Sequence, residues 1–271
     1  MTLFDKPLSE GRPALVGYLP AGFPTVAGGI EAVTAMIDAG VDLVELGLPY
    51  SDPVIDGPVI QRATERALSN GVRTRDVLAT VDAVTGLGVP VVVMTYWNPV
   101  DRYGVDAFAR DLAGAGGAGL VTPDLIPDEA DEWLAASDEH KLDRIFLVSP
   151  SSTDERIAMT VGLCRGFVYA TAVMGVTGAR DDVSSAAPTL VSRVRAVAGR
   201  PGDNPPGIGS QVPVGVGLGV RDGRQAATVG AYADGVIVGS ALVQAVADDP
   251  SLGTLRTLVG DLAGGVRAAR S

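Results

Sequence analysis

Short apolar runs alternate along the chain with longer stretches in which apolar and polar residues are mixed. Each short run is mainly apolar rather than strictly alternating, which is typical of parallel strands that helices cover. The longer stretches predict helices, with acidic residues near their starts and glycines after their ends. Residues 58–86 are long enough for two helices. The predicted strands are residues 13–19, 42–48, 90–96, 118–124, 144–150, 166–172, 213–219 and 234–240.

Eight strand–helix units in roughly 250 residues predict a (β/α)8 TIM barrel with a parallel eight-stranded core. The alternative is an open, doubly wound sheet. That fold would favour a G-x-G-x-x-G turn after the first strand, and LPAGFPT at 19–25 lacks this pattern. Because no linker divides the chain, we expect a single domain over residues 1–271, with a loop insertion at 201–210.

Charge and cysteine content narrow the class of protein. The net charge of −11 argues against binding a nucleic-acid backbone, since that function needs a basic surface. The chain has neither an apolar run long enough to span a membrane nor an N-terminal secretion signal. Cys164 is the only cysteine and cannot form an internal disulfide, which favours a reducing compartment. We therefore expect a cytoplasmic protein.

The stretch VELGLPYSDPVIDGPVIQ, residues 44–61, combines carboxylates with prolines and glycines. Glu45 falls near the end of the second strand and Asp56 lies in the following loop, at the end of a barrel where reactive groups usually lie. A glutamate pointing inward there would be partly desolvated, which favours its neutral form and suits proton transfer. Two plainer interpretations stay open: Glu45 could be satisfied by hydrogen bonds, and Asp56 could form a turn before Pro58.

The positions of the lysines and the histidine exclude other chemistries. Lys6 and Lys141 are the only lysines, and each precedes a predicted strand, so neither can be a Schiff-base nucleophile at a strand's C-terminal end. His140, the only histidine, lies on the same side as these lysines. A histidine-rich metal site is therefore excluded, and we expect no metal. Proton transfer is left to carboxylates and tyrosines.

Three glycine-containing loops in the C-terminal part of the chain predict an anion site. They follow the sixth, seventh and eighth strands, at 174–182, 217–219 and 239–240. Backbone N–H groups at such turns and at helix N-termini bind phosphate, and barrels often do so after strands seven and eight. Each cluster alone could be only a turn, but together they favour a phosphate cradle.

The residues described so far resemble those of one family. The pattern E-L-G-x-P-[FY]-S-D-P-x-x-D-G-P-x-I-Q is met at 45–61, and the chain resembles the tryptophan synthase α subunit over nearly its whole length. The resemblance implies a carbon–carbon lyase that cleaves indole-3-glycerol phosphate to indole and glyceraldehyde 3-phosphate, in the final steps of tryptophan biosynthesis. The other family-like segments are TYWNP (95–99), GLVTPDLIPDEA (119–130), FLVSPSSTDERI (146–157), GFVYATAVMGVTG (166–178), VGVGLGV (214–220) and DGVIVGSALV (234–243).

The resemblance also implies roles for single residues. Glu45 would be the principal proton-transfer group, Asp56 would hold the indole N–H, and Tyr169 would lie near the acid. Thr177 would orient Asp56 when the loop after the sixth strand closes. The implied phosphate contacts are Gly178, Leu218, Gly219, Gly239 and Ser240, and the implied indole pocket is formed by Tyr18 and Met94.

The family further implies a partner, the β subunit, which carries pyridoxal phosphate and receives indole through a tunnel in an α2β2 heterotetramer. No cofactor is implied in this chain. Residues 53–55 place apolar side chains in a loop at the barrel mouth, where water would otherwise meet them. We therefore expect the partner to dock on this loop, at the residues Asp52, Pro53, Asn98 and Asp124, and on the turn that follows Asp124.

The chain departs from the family pattern at residues 172–174, where Ala, Val and Met replace a usual polar pair, and at Leu218 and Ile126, where Phe and Pro are common. Two alternative functions remain. Another phosphosugar barrel enzyme would usually need a strand-end lysine, which this sequence lacks. A non-catalytic, phosphosugar-binding regulatory subunit would have no need of both Glu45 and Asp56.

Overall fold

Eight parallel strands close into a barrel in the order β1-β2-β3-β4-β5-β6-β7-β8, with β8 paired to β1. The structure, a computed structural model, describes residues 3–171, 186–198 and 212–270. The predicted barrel is confirmed, and the open sheet is wrong. The strands are β1 (Ala14–Pro20), β2 (Leu43–Gly47), β3 (Val91–Met94), β4 (Gly119–Thr122), β5 (Asp143–Val148), β6 (Val168–Thr171), β7 (Val214–Gly217) and β8 (Gly235–Val238).

Helices surround the barrel, and the two predicted between the second and third strands are present as α3 and α4. Pro58 occupies the first turn of α3, where its missing N–H costs nothing. The helices are α1 (Asp5–Ser9), α2 (Val26–Ala39), α3 (Pro58–Ser69), α4 (Thr74–Thr85), α5 (Trp97–Tyr103), α6 (Val105–Gly114), α7 (Asp131–Glu139), α8 (Asp154–Leu163), α9 (Ala186–Ala198), α10 (Gly223–Gly230), α11 (Ser240–Asp248) and α12 (Gly253–Ala268), with a 3₁₀ turn at Pro127–Glu129.

The strands are buried on both faces, which explains their nearly continuous apolar sequence. Alternate residues point into the barrel: Leu43, Val92 and Ile145 belong to an interior cluster, while their neighbours pack under the helices. The same alternation directs Glu45, two residues after Leu43, into the barrel. The strand register places Glu45 beside Tyr18 of β1.

The N-terminal segment closes the lower end of the barrel. Phe4 is fully buried and stacks on Phe167, with ring centroids 4.8 Å apart. A side chain at Gly235 would meet the ring of Phe4, with its Cβ within 2.5 Å of the ring. The described side chains therefore fill the bottom of the barrel, and the cavity lies at the other end.

Three further expectations concern the chain as a whole. Within the described residues, no helix is long and apolar enough to cross a membrane. The single-domain organisation of residues 1–271 stays a prediction. The predicted insertion at 201–210 lies outside the described residues.

Replacing Phe4 with alanine should lower the free energy of unfolding by about 3–5 kcal/mol, since it removes a fully buried aromatic ring. Phe4→Leu should cost less, because it refills part of the space. Urea unfolding followed by circular dichroism measures both changes. A loss below about 1 kcal/mol for Phe4→Ala would show that the ring does not seal the barrel.

Candidate active site

A cavity of about 470 Å³ opens at the C-terminal ends of the strands. Its walls are mostly apolar, and the polar groups on them are carboxyls, hydroxyls and backbone amides. No lysine, arginine or histidine is among the described residues that line it. The lining residues are Tyr18, Glu45, Val54, Ile55, Asp56, Ile60, Met94, Pro123, Leu147, Val148, Ser149, Ser152, Tyr169, Thr171, Gly217, Leu218, Gly219, Ile237, Gly239 and Ser240.

Glu45 is 1% exposed at the floor of this cavity. Its Oε2 atom has no hydrogen-bond partner within the described part of the chain, which favours a proton-transfer group over a carboxylate satisfied by hydrogen bonds. Burial, and secondarily the charge of Asp56, raise the pKa of Glu45 to about 8. The side chain is therefore mainly protonated at neutral pH and can act as an acid.

Asp56 lies in the loop between β2 and α3 and is 8% exposed. Burial raises the pKa of Asp56 to about 6, and a hydrogen bond from the Tyr96 hydroxyl opposes this rise. Asp56 is therefore mainly ionised at neutral pH. Two carboxyls whose pKa values are pushed apart in one cavity can serve as an acid and an anion at the same pH.

Tyr18 and Tyr169 approach these acids from β1 and β6. Each ring fits because a glycine lies beneath it: a Cβ at Gly47 would overlap the hydroxyl of Tyr18, and a Cβ at Gly217 would lie 2.6 Å from that of Tyr169. Burial raises the pKa of both tyrosines well above 10, so their hydroxyls stay protonated. Tyr18 thus brings a hydroxyl as well as an apolar ring to the cavity.

The predicted phosphate residues that the structure describes lie at one side of the cavity. Leu218, Gly219, Gly239 and Ser240 follow β7 and β8 and line it together. Gly219 has φ +80°, a backbone conformation that favours glycine. Helix α11 begins at Ser240, and no side chain caps it. This arrangement leaves helix N–H groups for an anion.

Several predictions fall on residues that the structure does not describe. Thr177, Gly178 and the departure at 172–174 all lie outside the described residues. Met94, the second predicted indole-pocket residue, does line the cavity. The described candidates are therefore brought together, and their individual roles stay predictions.

Some cavity residues were missed by sequence reasoning. Ser149 and Ser152 follow β5, and Thr171 ends β6. Tyr96 follows β3 and does not line the cavity itself, but its hydroxyl binds the loop that carries Asp56. All four positions could have been marked by the rule that strand C-terminal ends carry the site. Tyr96 lies within the family-like segment TYWNP, but the family resemblance implies no role for it.

The predicted docking residues lie at the same end of the barrel as the cavity: Asp52, Pro53 and Asp124 in loops, and Asn98 in the first turn of α5. The side chain of Val54 is 70% exposed and that of Ile126 is 42% exposed, both high for large apolar residues. The amide of Asn98 donates to the hydroxyl of Tyr50 at 3.2 Å. The carboxylate of Asp124 accepts from the Trp97 N–H at 2.8 Å. These contacts order the loops around the exposed apolar side chains.

The fold and cavity together define a (β/α)8-barrel enzyme that works with carboxylates and offers an anion site built from glycines and a helix N-terminus. The sequence profile described as tryptophan synthase alpha chain matches residues 4–257. The chain belongs to this family, and the resemblance seen in its sequence is confirmed.

The chain is similar to individual members of the family over nearly their full lengths. The tryptophan synthase alpha chain of Salinispora arenicola is 64% identical, with 97% of this chain and 96% of the relative covered. That of Mycobacterium marinum is 62% identical, with 99% and 95% covered. A chain in a structure of Mycobacterium tuberculosis tryptophan synthase superposes with a TM-score of 0.89 at 60% identity, covering 98% and 96%. The Legionella pneumophila subunit alpha gives 0.81 at 32% identity, covering 98% and 99%.

The raised pKa of Glu45 makes stability depend on pH in a defined direction. The folded chain holds a proton on Glu45 from about pH 4.5 to 8 that the unfolded chain releases, so this contribution is lost as pH rises through that window. Between pH 5 and 8, the free energy of unfolding of the wild type should therefore fall by about 3 kcal/mol relative to Glu45→Gln. Urea unfolding at several pH values measures this difference.

The matched control is Glu31→Gln, because Glu31 is an exposed glutamate within α2. Its unfolding free energy should follow the wild type at every pH. Parallel curves for the wild type and Glu45→Gln would contradict the assignment of a protonated, buried Glu45.

Proposed function

We propose that this chain cleaves indole-3-glycerol phosphate to indole and glyceraldehyde 3-phosphate as the α subunit of a tryptophan synthase. Family membership supports the lyase activity. The observation that carries the mechanism is the pair formed by Glu45 and Asp56, one protonated and the other ionised at neutral pH inside a single cavity.

The reaction is a retro-aldol cleavage that needs neither an amine nucleophile nor a metal. Glu45 donates its proton to C3 of the indole ring, which turns the ring into a leaving group. The Asp56 carboxylate accepts a hydrogen bond from the indole N–H and stabilises the positive charge that develops on the ring. The bond between C3 and the glycerol side chain can then break with its electrons moving into the ring.

The second proton transfer completes the balance. As the carbon–carbon bond breaks, the side-chain hydroxyl next to the ring loses its proton and becomes the aldehyde of glyceraldehyde 3-phosphate. The Glu45 carboxylate left by the first step takes this proton, so the enzyme returns to its starting state. Acidic Glu45 and ionised Asp56 coexist mainly between about pH 6 and 8.

The remaining cavity residues bind the substrate in this proposal. Tyr18 and Met94 hold the indole ring. The hydroxyl of Tyr169 lies close to Glu45 and serves as a hydrogen-bond donor there. The phosphate lies against the amides of 218–219 and 239–240, at the start of α11. Thr177 and Gly178 keep the roles that the family resemblance implies, loop closure and phosphate contact.

We further propose that the chain works in the cytoplasm within an α2β2 complex, whose β subunit carries the pyridoxal phosphate. Docking on the exposed Val54 and Ile126, with Asp52, Pro53, Asn98 and Asp124 around them, would cover apolar side chains and seal the cavity mouth. The non-catalytic alternative gains no support from the site. A regulator that only binds phosphosugar has no use for a buried acid with an oxygen that no described residue binds.

Loss of either acid should abolish most of the activity. Glu45→Gln and Asp56→Asn should each lower indole release from indole-3-glycerol phosphate by at least about 100-fold, since each removes a proton-transfer or charge-stabilising group. The assay is run with and without a β subunit. Asp143→Asn, which alters a largely buried carboxyl at the start of β5 and outside the cavity, should stay within a few-fold of the wild type.

Full activity of the Glu45→Gln variant would show that the substrate is correct but that Glu45 does not transfer the proton. No release by the wild type under any condition would favour the non-catalytic alternative.

A charge at the tip of the docking loop should weaken the complex. Val54→Asp should raise the Kd for the β subunit by at least about 10-fold, because it would desolvate a carboxylate against an apolar contact. Leu87→Asp is the matched control, since Leu87 is also an exposed apolar residue but follows α4, before β3. Isothermal titration calorimetry measures both. Equal Kd values for the Val54→Asp variant and the wild type would place the interface elsewhere.

A further inference from the structure

Tyr96 follows β3 and is 5% exposed, with its hydroxyl directed at the loop between β2 and α3. The hydroxyl oxygen accepts hydrogen bonds from the backbone N–H of Val54 at 3.1 Å and of Ile55 at 3.2 Å. The hydroxyl also acts on the carboxylate of the next residue, since hydrogen bonding from Tyr96 lowers the pKa of Asp56. A phenol has one donor and two acceptor sites, so one hydroxyl can serve all three of these consecutive residues.

These bonds hold the segment that carries Asp56. Residues 51–57 contain no strand or helix, so the backbone there makes no regular ladder of hydrogen bonds. Two N–H groups directly before Asp56 are instead fixed to a side chain about 40 residues away in sequence. On the other side, the Gln61 side chain donates to the Asp56 carbonyl oxygen at 2.8 Å. The position of the Asp56 carboxylate thus depends on Tyr96 more than on its own strand.

We propose that Tyr96 is the positioning residue for Asp56: its hydroxyl fixes the loop and orients the carboxylate toward the indole N–H. This inference deepens the proposed function and rests on it. Tyr96 itself is absent from the described cavity lining and needs no contact with substrate. It acts through Asp56 by geometry and by charge-assisted hydrogen bonding.

Other ionisable groups also face Asp56, and their effects differ in sign. Glu45 on β2, Tyr18 on β1 and Tyr169 on β6 all interact electrostatically with it. Burial raises the pKa of Asp56, whereas the Tyr96 hydrogen bond lowers it by favouring the ionised form. Removing the hydroxyl should therefore raise the pKa of Asp56. As the pH falls, Asp56 would then become protonated at a higher pH than in the wild type.

The decisive variant is Tyr96→Phe, assayed as the complex with a β subunit from pH 5 to 9. It keeps the aromatic ring and its packing on Tyr50, whose ring centroid lies 5.3 Å away, and removes only the hydroxyl. The expected result is a fall in kcat of about 10-fold or more with a smaller change in KM. The acidic limb of the rate profile should move up by about one pH unit. The substrate phosphate also titrates near pH 6, but equally for every variant.

Tyr103→Phe is the matched control. The hydroxyl of Tyr103 also donates to an aspartate, Asp111, at 2.7 Å, but this pair is on the protein surface outside the cavity. The control should reproduce the wild-type kcat and acidic limb. A shift in both variants would show that the effect comes from losing any tyrosine–aspartate bond.

A carbon-13 NMR titration of the Asp56 carboxyl, assigned with Asp56→Asn, makes the same comparison without turnover. Tyr96→Phe should raise the pKa of Asp56 in this titration even if the proposed substrate is wrong. An Asp56 pKa that does not rise would overturn the inference, whatever the activity. A rise in KM with an unchanged acidic limb would also overturn it, because Tyr96 would then affect substrate binding and not the ionisation of Asp56.

Discussion

The carboxyl group of Glu45 is held inside a closed barrel, where one of its oxygens has no hydrogen-bond partner in the described part of the chain. A charge in that position would cost several kcal/mol, so the group keeps its proton up to about pH 8. The other features of the site depend on this constraint. Asp56 carries the negative charge instead, and its presence raises the pKa of Glu45 further. Burial of Glu45 lowers the free energy of unfolding as the pH rises above about 4.5. The same burial keeps Glu45 protonated at neutral pH, so that it can act as an acid.

Packing inside the barrel makes room for this site. Two aromatic side chains beside the cavity fit because a neighbouring strand contributes a glycine, with Tyr18 over Gly47 and Tyr169 over Gly217. The lower end is filled completely by Phe4 and the interior cluster. The glycines thus have two effects. They admit large rings beside Glu45, and in the loops after β7 and β8 they leave backbone amides uncovered for an anion.

The loop between β2 and α3 combines an exposed apolar side chain and a buried carboxylate within three residues. Val54 is the most exposed large apolar residue that the structure describes and lies at the edge of the cavity, whereas Asp56 is buried in the cavity wall. Prolines on both sides, Pro53 and Pro58, restrict the backbone, and the Tyr96 hydroxyl binds its N–H groups. A partner bound to this loop would therefore press on a segment with little freedom of its own.

The sequence by itself determined the barrel and its main acids. Strands buried on both faces must be apolar throughout, so eight such runs could be counted, and the family pattern marked Glu45 and Asp56. Tertiary structure alone decided that Oε2 of Glu45 has no partner among the described residues, that Tyr18 brings a hydroxyl to the acids, and that Tyr96 holds the loop of Asp56. These properties depend on the directions of side chains from strands far apart in sequence. Local periodicity records which face a residue takes, but not which distant atom it meets there.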